Sequence, residues 1–75
     1  MISYNVAKRQ IEKLERQICD HDNFVASGGS VGKDNRGIIE SYSGVMDDHL
    51  EDFPMSLRLV AKRAINRAER TLGNL

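Results

Sequence analysis

The chain has 75 residues, with 11 basic and 11 acidic side chains and a formal net charge of zero at pH 7. One domain fits that length. The charge balance excludes a general DNA-coating role, the single cysteine excludes an internal disulfide, and no apolar run reaches the ~20 residues of a membrane span.

The N-terminal stretch MISYNVAKRQ carries no run of signal-peptide length, and a lone thiol fits a reducing compartment, so a cytoplasmic location is expected. Cys19 reads as a small helix residue, with no pair of activating groups beside it. A domain this small buries only about 60% of the surface its unfolded chain exposes. Self-association is the remaining route to a larger core, and a homo-oligomer is expected.

The first predicted helix runs from about residue 3 to residue 25. Ser3 suits its N-cap, because a hydroxyl there accepts from an amide of the first turn. Tyr4, Ala7, Ile11, Leu14, Ile18, His21 and Val25 follow 3-4 spacing and form one narrow stripe, the seam of a coiled coil. That seam is the candidate surface for self-association or for a partner helix. Lys8, Arg9, Glu12, Lys13, Glu15 and Arg16 lie on the opposite, solvated face.

A glycine-rich loop, residues 26–34, follows. The second predicted helix runs over about 35–52, with Asp34 or Asn35 as cap and Ile38, Ile39, Tyr42, Val45, Met46, Leu50 and Phe53 on its apolar side. Gly37 and Gly44 weaken it by roughly 1 kcal/mol each relative to alanine. The third runs over about 54–73, from Pro54 in a first-turn position to Gly73 as a stop. Leu57, Val60, Ala61, Ala64, Ile65, Ala68 and Leu72 share one arc, rich in alanine and so open to close approach.

The expected fold is all-α, residues 1–75 forming a single helical domain. An antiparallel up-down-up three-helix bundle leads. A long first helix pairing with its copy beside a helical hairpin is the other arrangement. Five acids (Glu40, Asp47, Asp48, Glu51 and Asp52) precede Pro54, and five bases (Arg58, Lys62, Arg63, Arg67 and Arg70) follow it. Mutual attraction of these segments is the expectation.

In an up-down-up bundle the glycine-rich loop meets the end of the third helix. That end gathers Lys33, Arg36, Arg63, Arg67, Arg70 and Thr71, with the loop glycines and a helix N-terminus offering amides to an anion. These residues are the candidate phosphate site. The loop is not a P-loop: Ser27 stands where the first glycine belongs, and Asp34 follows Lys33. CDHD (19–22) and DDHLED (47–52) resemble metal ligands in composition, but His21 and His49 fall far apart in a bundle, so neither metal nor cofactor is expected. No set of paired acid-base groups suggests catalysis. The basic third helix admits a nucleic-acid reading, opposed by the acids of the second and by its lack of aromatic residues.

The stretch FPMSLRLVAKRAINRAERTLGN resembles small phage-encoded helical proteins, some of which assemble into oligomers and sequester cyclic oligonucleotide signals of bacterial defence. Pro54, Ser56, Leu57 and Ala68 are the nearest matches, while the tryptophan-asparagine stretch of that group is missing here. The resemblance implies a non-enzymatic sponge whose Arg63, Arg67 and Arg70 meet phosphates and whose Tyr4 stacks on bases at a chain interface.

Two functional classes follow. The first is a small non-enzymatic protein that docks on a partner protein, self or foreign, through helical faces. The second is an oligomer that sequesters a phosphate-bearing ligand. Nucleic-acid binding comes third.

Overall fold

Ser3 leaves the helical backbone with ψ of 156°, and its Oγ accepts a hydrogen bond from the Val6 amide at 3.3 Å. That cap opens α1 (Tyr4–Ala26), the first element of a computed structural model that describes residues 1–73. Two further helices follow, α2 (Arg36–Asp48) and α3 (Met55–Gly73), with a short 3-10 turn at Leu50–Asp52 between them. Among the described residues there is no strand, and the protein is all-α.

The end of α1 explains the loop glycines. Gly28, at φ +65°, donates its amide to the Val25 carbonyl at 3.2 Å, and Gly29 donates to the Phe24 carbonyl at 2.9 Å. These two bonds make a Schellman stop, which needs a left-handed residue just past the helix. The loop then folds back along α1. Gly32 sits at φ +77°, and a β-carbon there would collide with the Asp20 carbonyl oxygen and lie 2.8 Å from the Phe24 nitrogen. Only glycine allows that approach.

α2 begins without a side-chain cap at Asn35. The Asn35 Nδ2 instead donates to Gln17 Oε1 at 2.7 Å, tying the start of α2 to α1. α2 ends at Asp48, short of the expected residue 52, and the chain tightens into the 3-10 turn. The turn delivers Phe53, fully buried, into the core. Its exposed carbonyls are satisfied from the next helix: Arg58 donates to Phe53 O at 3.1 Å and to Glu51 O at 2.7 Å. Pro54 precedes α3 rather than lying in its first turn, and its carbonyl accepts from the Leu57 amide at 2.9 Å.

The topology is up-down-up. The Ile2 amide donates to Asp52 O at 2.9 Å, so the start of α1 meets the turn between α2 and α3. Arg67 reaches Glu15 at 3.7 Å, so α3 runs alongside α1 in the same direction. One core fills the space between the helices: Ala7, Ile11, Leu14 and Ile18 from α1, Ile39 and Met46 from α2, Phe53, then Leu57, Ala61, Ala64, Ile65 and Ala68 from α3.

The seam of α1 was expected to face a second chain or a partner helix. Its inner members Ala7, Ile11, Leu14, Ile18 and His21 are instead buried by the chain's own α2 and α3, and only Tyr4 and Val25 at its ends are exposed. The spacing specifies a covered stripe, and the two shorter helices cover it. The acids before Pro54 and the bases after it do lie on helices packed side by side, but they make no direct ion pair. Among the described residues, none of Glu40, Asp47, Asp48 or Glu51 pairs with a base. Arg58 is held by backbone carbonyls and Arg67 by Glu15.

Candidate functional site

Two clefts mark the surface of the described residues. The first is a cleft of about 470 Å³ between the C-terminal ends of α1 and α3. Arg67, Arg70 and Thr71 line one wall, and His21 and Asp22 the other, over an apolar floor that includes Ile18 and Val25. These arginines sit one α-helical turn apart, which aims both side chains along the same flank.

The cleft gathers only part of the expected phosphate site. Lys33 is exposed in the loop and does not line it, and neither does Arg63, one turn earlier on α3. Arg36 is engaged elsewhere: its Nε and Nη2 donate to Asp34 at 2.9 and 2.7 Å. Those side-chain hydrogen bonds hold the Asp34 carboxyl below its usual 3.8, and the carboxylate in turn raises Arg36. Tyr4 stands at the far end of the molecule, about 30 Å along α1 from Val25, so no single chain brings it to the arginines.

Several of the loop amides are already engaged within the chain. Gly28 and Gly29 donate to carbonyls of α1, and Lys33 N leans on Asp20 O at 3.4 Å. Asp34 already places a carboxylate at the N-terminus of α2, 3.5 Å from the Arg36 amide. An external phosphate there would have to displace it. The last turn of α3 also has its own use for Arg70, because a cation offsets the negative end of a helix dipole.

His21 is buried, stacked near Phe24 with ring centroids 6.3 Å apart. Its Nδ1 has no hydrogen-bond partner and lies 3.6 Å from Asp34 Oδ1. His49 is exposed on the far side, 3.7 Å from Asp52.

The second surface is one the seam-based reading overlooked. Ile38, Tyr42 and Val45 belong to the apolar side of α2, yet they are 44%, 37% and 50% exposed. They sit at i, i+4 and i+7 and form a continuous apolar stripe. Beside it runs a groove of about 260 Å³ between α1 and α2, walled by Gln10, Lys13, Ser41, Tyr42, Val45 and Met46. The Oε1 of Gln10 is buried there without a hydrogen-bond partner. One sequence signal pointed this way. Gly37 and Gly44 weaken α2, and a β-carbon at either position would meet nothing within the chain.

The chain matches no family model, and neither a curated protein nor a solved structure matches it. Among the described residues, no helix is long and apolar enough to cross a membrane.

Proposed function

We propose that this chain is a small, non-enzymatic, cytoplasmic binding protein that docks on a partner protein through a helical face. The docking face is the Ile38–Tyr42–Val45 stripe of α2 with its groove against α1. One observation carries the reading. The apolar stripe of α1 is closed inside the bundle, and of the exposed apolar side chains on α2 and α3, Tyr42 and Val45 of α2 wall a groove while Met55, Leu59 and Val60 of α3 do not. Singly exposed apolar residues are ordinary, but a contiguous row on one helix face marks an interaction site. Tyr42 suits an anchor, with a ring to bury and a hydroxyl to satisfy at the rim.

The test is capture of a partner from the source cells by tagged full-length chain. Tyr42→Glu and Val45→Asp abolish capture while leaving the melting curve in place, and Arg67→Ala leaves capture intact. A partner that survives both α2 substitutions contradicts the docking face.

A second reading rests on the α1/α3 cleft, where Arg67, Arg70 and Thr71 converge. The resemblance of the C-terminal half to oligonucleotide-sequestering proteins supports it. In that reading an oligomer takes up a phosphate-bearing ligand such as a cyclic nucleotide. Against it stand the neighbouring Asp22 and the negative ends of two helix dipoles. A cyclic nucleotide that raises the melting temperature of the wild type, but not of Arg70→Ala, supports this reading. A panel without effect removes it.

A further inference from the structure

We infer that the cleft between α1 and α3 takes up a small zwitterion with an apolar side chain, a free amino acid or a dipeptide. This ligand is independent of the α2 docking face. It differs in class from the phosphate of the second reading, which would lie in the same cleft.

The two walls of the cleft carry opposite charge. α3 contributes Arg67 and Arg70, and α1 contributes Asp22. All three are exposed, yet neither arginine lies within ion-pair distance of Asp22. Arg67 reaches Glu15 through Nη1 at 3.7 Å, and Arg70 makes no ion pair among the described residues. The helix ends sharpen the difference. Both helices carry the negative ends of their dipoles to this part of the molecule. α3 offsets its own end with Arg70, but the last turn of α1 holds no base. The α1 wall is therefore negative from Asp22 and from the helix end together, and it favours an ammonium group. A phosphate meets two arginines on one side and this acidic wall on the other. A zwitterion satisfies both walls at once, with its carboxylate on Arg70 and Arg67 and its ammonium beside Asp22.

Between the walls the lining is apolar. Ile18 is buried beneath it, and Val25 is 64% exposed along it. An apolar side chain on the ligand covers Val25. His21 completes the α1 wall. It is only 4% exposed, and its Nδ1 is buried 3.6 Å from Asp34, which leaves the Nε2 edge of the ring on the cleft. A polar group already fixed by packing loses little freedom when a ligand touches it. The volume of about 470 Å³ lies within the ~300–1,000 Å³ of small-ligand sites.

Thermal melting of the full chain tests this, with L-leucine, leucyl-leucine, N-acetyl-leucine, leucinamide and inorganic phosphate as probes. Leucine or leucyl-leucine raises the melting temperature in a saturable way, and whichever does so tells the amino acid from the peptide. N-acetyl-leucine lacks the ammonium and leucinamide lacks the carboxylate, and each binds about tenfold or more weakly. Arg70→Ala and Asp22→Asn weaken binding of the zwitterion by a similar factor, each read against its own ligand-free melt. Both positions are exposed, so folding is not at stake. Tyr42→Glu keeps the full response, which separates this cleft from the docking face. No shift with either zwitterion overturns the proposal, and so do singly charged analogues that bind as tightly as leucine. A shift with phosphate alone also overturns it and returns the cleft to the phosphate reading.

Discussion

α1 and α2 dispose of their apolar residues in opposite ways. α1 carries a narrow stripe, and the chain's own α2 and α3 close over all but its ends. What α1 leaves outside is mostly charged. α2 carries a broader apolar arc on a shorter helix. Ile39 and Met46 are buried, and Ile38, Tyr42 and Val45 stay in solvent. Burial on α1 therefore holds the fold, and exposure on α2 is available for recognition. A substitution on the first should unfold the protein, and one on the second should leave it folded.

The largest effect expected is at Leu14. Leu14→Asp places an unpaired charge in the centre of the bundle and removes the cooperative melt. Leu14→Ala costs about 2–5 kcal/mol, a large share of the stability of a small domain, and lowers the urea midpoint accordingly. Tyr42→Asp, by contrast, shifts the midpoint little. Equal losses at both positions would erase the distinction between the two helices.

Gly32→Ala comes next. The substitution combines a left-handed backbone with a collision against Asp20 O, and the strain of each such feature is of order 1–3 kcal/mol. The loss appears as a lower midpoint. If Gly32→Ala is neutral, the loop does not lie along α1 as described.

Gly44→Ala has the opposite sign. The added methyl meets nothing in the chain, and alanine favours a helix by up to about 1 kcal/mol over glycine. The melting temperature of the dilute chain rises. A fall would mean that the position is already packed by something within the fold.

The smallest effect concerns acid. The Asp34 carboxyl titrates below its usual 3.8 in the folded chain, because Arg36 binds its charged form. Its contribution is present above that pH and is lost as pH falls through the lowered value. Asp34→Asn therefore makes the stability of the chain less sensitive to pH below 4, a change read from urea midpoints across the acid range.

Much of the fold was legible because the signals were local. Ser3 before an apolar period, two glycines after Val25, and proline at residue 54 each mark a helix end by backbone chemistry alone. The seam of α1 was legible too, but a sequence period has no way to say which chain covers it. Ala7 through Ile18 read the same whether the neighbour is α3 or a second molecule. On α2 the difficulty was angular. Ile38, Tyr42 and Val45 lie beside Ile39 and Met46 on a single apolar arc, and only the positions of α1 and α3 decide which row is covered. The arginines were visible, but their partners were not. Asp34 claims Arg36 and Glu15 claims Arg67 through geometry that residue spacing does not contain.

The chain closes its own seam and folds as a single bundle. The most direct measurement is the urea midpoint of Tyr42→Glu, which disables the α2 face, over about a hundredfold range of protein concentration. One cooperative transition with a constant midpoint is expected. A midpoint that climbs with concentration would mean that another molecule supplies the cover for Leu14 and Ile18.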